Sequence, residues 1–127
     1  MKRFRAFLAS TSGAVAAEFV LVIPVMLVMI FGSINGALMV YSYVQLHYAA
    51  GDAARCRAIK TTVCADDAST SSYAESRLSA PLASVSFAHS TAGCGNTVTG
   101  TATYNFTTGL TNTPITMQAQ SCYPLQP

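Results

Sequence analysis

Charge is what this chain has least of. Charged residues fill only 9% of its 127 positions, where soluble domains usually carry about 25%. Hydrophobic residues fill 51%. Unfolded chains are charged and poor in apolar side chains, so disorder is excluded as the main state. The net charge is +2 and the basic residues form no stripe, which argues against a nucleic-acid partner. Catalytic signatures are missing as well. The chain has no phosphate-binding glycine loop, no GxSxG turn and no paired-carboxylate site. The expectation is therefore a non-enzyme, with no catalytic residue and no cofactor. Cys56, Cys64, Cys94 and Cys122 are separated by seven, 29 and 27 residues, without a CxxC, which is poor spacing for zinc. No metal site is expected, and nothing positions His47 or His89 beside a cysteine.

The few charges are unevenly placed. Lys2, Arg3 and Arg5 lie in the first five residues, and Glu18 is alone between Ala6 and Gly51. From Ala14 onward the net charge is −1, so the basic character belongs to the N-terminal tip. Phe19 to Tyr48 is almost wholly apolar. A bilayer core needs about 20 such residues as a helix. A secretory signal has an apolar stretch of only about 7–15 residues, so a retained anchor is the better reading. The positive-inside rule puts Lys2, Arg3 and Arg5 in the cytoplasm and the rest of the chain beyond the membrane. Tyr41, Tyr43 and Tyr48 stand where an aromatic belt would mark the far interface.

Glu18 is the anomaly, because a carboxylate costs free energy in a membrane helix. By itself it reads as a hydrated interfacial group. Its neighbours, Ser12-Gly13-Ala14-Val15-Ala16-Ala17-Glu18-Phe19, change that reading. A basic leader ends in Gly13, four apolar residues follow, and Glu18 is the fifth. The pattern resembles the processing site of the type IV pilin superfamily, where a membrane prepilin peptidase cuts after the glycine. Cleavage here would free an α-amine on Ala14. Glu18 would lie four residues along the same helix face, or pair with the amine of a neighbouring subunit. Either pairing compensates a charge otherwise buried alone. Glycine at the cut resists helix formation and suits the extended backbone a protease needs.

The stretch GAVAAEFVLVIPVMLVMIFG is similar to the TadE-like family, pilin-like proteins of tight-adherence pili. Gly13, Ala14, Glu18, Phe19 and Pro24 occupy the family's places. Ala49 to Ala58 resembles the Ala- and Arg-rich helix end of that family, and Gln120 to Pro124 is similar to its C-terminus. Pro24 lacks an N–H and is expected to kink the helix. The resemblance also implies local melting near Pro24 in a filament. Gly32 and Gly36 form a GxxxG pair, with Asn35 between them and Ala37 adjacent, a pattern that lets two helices approach closely.

Beyond the anchor, Ala-rich sequence carries the helix on to about Ile59. From Thr61 the composition changes: Ser and Thr fill 22 of the last 67 positions, which suits a solvated sheet face. Thr61, Thr62, Asp66 and Asp67 read as a loop. Ala68 to Ala80 reads as a short helix capped by Ser69 or Thr70, with Tyr73 and Leu78 buried, and Pro81 ends it. Ala83 to Ala88, Thr97 to Thr107 and Pro114 to Ser121 read as strands, with Gly109 and Asn112 in the last turn. Val85 and Phe87, then Val98, Gly100, Ala102, Tyr104 and Phe106, then Ile115, Met117 and Ala119 form the core-facing sets. The sequon Asn105-Phe106-Thr107 reads as plain strand. A domain this small needs staples, and four cysteines allow three connectivities. Cys56–Cys64 with Cys94–Cys122 is favoured, and the other pairings stay open.

The expected fold is α+β: a long N-terminal transmembrane helix, a short helix, and a small antiparallel β-sheet packed on the long helix's outer half. The expected organisation is a basic leader at 1–13, the long helix at 14–60 and a disulfide-stapled extracytoplasmic domain at 61–127. The resemblance implies a minor pilin or pseudopilin, cut after Gly13 and held in the inner membrane. Its partners would be the prepilin peptidase, other pilins and the pilus assembly platform. Major subunits of such pili are much shorter, which points to a minor role in assembly, adhesion or secretion. The alternative is an uncleaved, single-pass anchored periplasmic binding module. A redox use of the cysteines is the third reading.

Overall fold

The computed structural model of the chain describes residues 11–125. Lys2, Arg3 and Arg5, and with them most of the expected leader, lie outside the described residues. The elements run α1 (Thr11–Ile59), α2 (Asp67–Ser76), β1 (Ala83–Ala92), β2 (Gly95–Thr107) and β3 (Asn112–Tyr123). The three strands form one antiparallel sheet in the order β1-β2-β3. The α+β expectation holds, with the sheet on the C-terminal half of α1.

A helix of 49 residues is about 74 Å long, far more than this small domain can cover. Its two halves differ accordingly. From Ala16 to Phe31 every residue is exposed. From Asn35 on, covered positions recur at Asn35, Met39, Ser42, Leu46, Ala49, Ala53 and Cys56, in alternating steps of four and three. That spacing keeps one stripe of the helix against the sheet. The stripe is made largely of small residues, so backbone and sheet approach closely. Ala50, Ala53 and Ala54 pack with Val98 and Ala74, while Leu46 packs with Ala102, Tyr104, Met117 and Ala119. Gly100 lies in this contact. A Cβ there would sit 2.6 Å from Phe87 Cε1 and 3.0 Å from Leu46 Cδ1, so any other residue would push the Phe87 ring aside.

The inward sets of β2 and β3 are those the alternation predicts. Val98, Gly100, Ala102 and Tyr104 are buried and Phe106 half-buried; Met117 and Ala119 are buried and Ile115 half-buried. The strands themselves run longer than the sequence suggests. β1 continues to Ala92, and a two-residue turn at Gly93-Cys94 leads to Gly95, whose φ of 127° excludes a side chain. Asn112 opens β3 rather than sitting in the turn. β1 carries a bulge between Ala83 and Ser86, where Ser84 takes a φ of 50°.

The short helix differs most from expectation. It ends at Ser76, with Arg77 as its C-cap, so it stops well before Pro81. Its N-cap is Asp66, not Ser69 or Thr70. The Asp66 carboxylate accepts from the Ser69 amide at 2.7 Å, and the Ser69 hydroxyl faces the Asp66 amide at 3.1 Å. This reciprocal pair satisfies two orphan donors of the first turn. The helix buries Thr70 and Ala74, while Tyr73 and Leu78 are only half-covered.

Candidate functional site

The residues singled out near the N-terminus lie along one helix and do not converge on a pocket. The backbone is already helical at Gly13 and Ala14, so a peptidase would have to unwind it there. Glu18 stands one helical turn beyond Ala14 and is exposed, with no ion pair among the described residues. Phe19 beside it is exposed too. The next turns present Leu21, Val25, Met26 and Met29 outward. An unbroken apolar helix surface of this length is rare on water-soluble monomers, where such side chains are usually covered. It is compatible with a single-pass membrane anchor, and it is the one such helix among the described residues.

Pro24 falls inside α1 without ending it. It has no N–H to offer the carbonyl one turn back. Polar groups farther along the helix return to its own backbone. The Ser33 hydroxyl donates to the Ile30 carbonyl at 2.9 Å, and the Asn35 amide donates to the Phe31 carbonyl at 3.1 Å. Tyr104 reaches in from β2, its hydroxyl 3.4 Å from the Asn35 carbonyl. Gly32 and Gly36 flank this point. A Cβ at either would meet nothing within 4 Å, so the fold of the single chain does not require glycine at either place.

The β2–β3 turn lies lower still. Gly109 and Leu110 face Pro24, Leu27, Val28 and Phe31 across a cleft of about 250 Å³. Thus the sheet does not stop at the C-terminal half of the helix; its hairpin tip overlaps the bare apolar stretch.

At the other pole the charges collect. Asp67 Oδ1 accepts from His89 Nδ1 at 3.0 Å and lies 3.5 Å from the Arg57 guanidinium. The His89 ring is only 10% exposed, and its Nε2 lies 3.1 Å from Asn96 Oδ1. Arg57 also donates to the Cys64 carbonyl at 3.2 Å. This cluster joins α1, α2, β1 and β2. Beside it, Arg77 donates to the Tyr73 hydroxyl at 2.7 Å and stacks over the Tyr73 ring. The Asp66 carboxyl is held below the usual carboxylate range, chiefly by the hydrogen bond from the Ser69 amide and then by the Ser69 hydroxyl. The cluster ties elements together, and no group of three or more His, Cys, Asp or Glu placed to hold a metal ion occurs among the described residues. Sequence reading treats Asp66 and Asp67 as a solvated loop and gives His89 no role. The Asp66-x-x-Ser69 spacing was the available signal for the cap, whereas nothing local connects His89 to Asp67.

The cysteines join as Cys56–Cys64 and Cys94–Cys122, with Cα separations of 5.9 and 6.4 Å. Both bonds lie at the charged pole, away from the apolar stretch.

Residues 13–55 match the family model of TadE-like protein, which covers Gly13, Ala14, Glu18, Phe19, Pro24 and the GxxxG pair. The resemblance read from those residues therefore holds over that span. No curated protein and no solved structure matches the chain.

Proposed function

We propose that this chain is a pilin-like component of a tight-adherence pilus, acting as a minor pilin or pseudopilin. The observation that carries the reading is the TadE-like match over the Gly13-to-Glu18 pattern and the helix behind it. The bare apolar surface from Ala16 to Phe31 adds to it, because that helix needs a partner its own domain does not supply. In this reading the chain enters the inner membrane with its N-terminus in the cytoplasm. A prepilin peptidase cuts after Gly13, and Glu18 compensates the new amine of Ala14 on its own or a neighbouring helix. Other pilins and the assembly platform take up the apolar helix, in part through the open face at Gly32 and Gly36. The domain at 61–127 faces away from the cytoplasm. The protein is a substrate of the peptidase, not an enzyme.

N-terminal sequencing of membrane-extracted protein, with and without the peptidase, tests the reading. A start at Ala14 that depends on the peptidase is expected. Glu18→Gln should leave membrane insertion intact and reduce incorporation into pili. An intact N-terminus in the presence of the peptidase would overturn the processing step. The second reading, an uncut anchored module, draws on the helical backbone through Gly13 and Ala14.

A further inference from the structure

The β2–β3 hairpin reaches down the helix into the stretch read above as membrane-spanning. We propose that its tip is a second membrane contact, with Leu110 placed among the acyl chains of the leaflet on the domain's side. The inference rests on the anchor part of the reading above and needs neither cleavage nor a pilus.

Four observations carry it. The first is position. Leu110 faces Leu27, Val28 and Phe31, four to eight residues before Asn35, where Tyr104 closes over the helix. At 1.5 Å per residue that is about 6–12 Å below Asn35. The domain begins to cover the helix at Asn35, which puts the edge of the apolar layer near Ser33 and Asn35 rather than at the Tyr41-to-Tyr48 belt expected from sequence. The tip then sits at the depth where interfacial elements bury their apolar faces, about 5–10 Å. The second is exposure. Leu110 is 81% exposed in the chain alone, so its own domain leaves it uncovered. The third is charge. No Asp, Glu, Lys or Arg occurs anywhere from Leu78 to Pro127, so no carboxylate, ammonium or guanidinium on the sheet resists entry into a low-dielectric layer. The fourth is how the turn treats its polar groups. The Thr108 amide donates to the Thr111 carbonyl at 3.1 Å, and the Thr111 amide donates to the Thr108 hydroxyl at 3.3 Å. The two threonine hydroxyls lie 3.1 Å apart. A turn that pairs these groups internally is what a water-poor layer demands. Leu110 lies across a narrow cleft from the apolar surface of the helix, so acyl chains that coat the one also meet the other.

The chain has no tryptophan, which makes a clean probe possible. Leu110→Trp, Met29→Trp and Ile59→Trp, each in the full chain, would be reconstituted into phosphatidylcholine–phosphatidylglycerol vesicles with and without brominated phosphatidylcholine. Met29 is on the bare helix, and Ile59 lies about 45 Å farther along it. Bromine in both leaflets makes insertion direction irrelevant. Leu110→Trp and Met29→Trp should both emit at blue-shifted wavelengths and lose intensity to brominated lipid, while Ile59→Trp does neither. Quenching at Met29→Trp but not at Leu110→Trp would overturn the hairpin contact and leave the anchor standing. Blue-shifted but unquenched emission from Leu110→Trp would mean that protein, such as a second copy, covers the tip. No quenching at Met29→Trp would overturn the anchor and the hairpin contact together. Leu110 packs against little in the monomer, so the exchange does not threaten folding.

Discussion

Gly100 has no room for a side chain, and Gly36 has room it does not use. Gly100→Ala would press a methyl into Phe87 and Leu46, and overpacking of this kind typically costs about 1–3 kcal/mol. A lower midpoint in thermal unfolding should show it. Gly36→Ala should do the reverse, since alanine favours helix by up to about 1 kcal/mol and meets no neighbour. If Gly36 serves helix–helix packing in a pilus, that variant will fold as well as the parent yet assemble less; unchanged assembly would remove the role. Asp66 gives a pH-dependent case. Its folded-state pKa is lowered by the Ser69 amide and hydroxyl, so its capping contribution is complete above the ordinary carboxylate range. That contribution fades as pH falls through the folded-state pKa. Asp66→Asn keeps a capping side chain and removes the charge. Melting curves recorded at falling pH should therefore converge for parent and variant, with the parent losing the larger increment.

At the level of elements, the packing of α1 on the sheet turns on Leu46, the largest fully buried side chain. Leu46→Ala would leave a hole among Ala102, Tyr104, Met117 and Ala119, a change that costs about 2–5 kcal/mol in other cores. Urea unfolding in detergent would measure it. The strands' inward faces were legible because period-two alternation is strong in β2 and β3, where Thr separates apolar residues. α1 was legible from its apolar run and alanines. α2 was less so: its ten residues carry no apolar stripe, and Asp66, Ser69 and Thr70 are all residue types suited to a cap. Pro81 drew the expected boundary toward itself, although Arg77 had already ended the helix. β1 was cut short because Ala88 to Ala92 holds no bulky β-former. The candidate site was legible because it is written along a single helix, residue after residue. The hairpin tip over Phe31 and the His89–Asp67 contact were not, because each needs residues far apart in sequence to meet.

On the scale of the whole molecule, wettability is sorted along the long axis. Asp52, Arg55, Arg57, Lys60, Asp66, Asp67, Glu75 and Arg77 gather around the α1–α2 pole, and the sheet holds no Asp, Glu, Lys or Arg. The two disulfides lie at that same pole. In the chain-entropy picture the longer closed loop stabilises more. Replacing Cys94 and Cys122 by serine should therefore cost about 3–4 kcal/mol, against about 2–3 kcal/mol for Cys56 and Cys64, whose loop is shorter. Paired melts of the two double variants would rank them. At the opposite end the packing of Met39, Tyr104, Phe106 and Ile115 and the long hydrogen bond from the Tyr104 hydroxyl to Asn35 hold the sheet to the helix. Neither disulfide joins the sheet to α1, but the Arg57–Asp67–His89 contacts tie the two at the charged pole, so the sheet opens like a flap with displacement greatest at the far side. Amide exchange should accordingly be fastest near Leu110 and slowest beside Cys122. A neighbouring helix that needed the surface at Pro24, Leu27 and Phe31, beneath Leu110, would then have only to raise the flap, leaving the charged pole and its fold untouched.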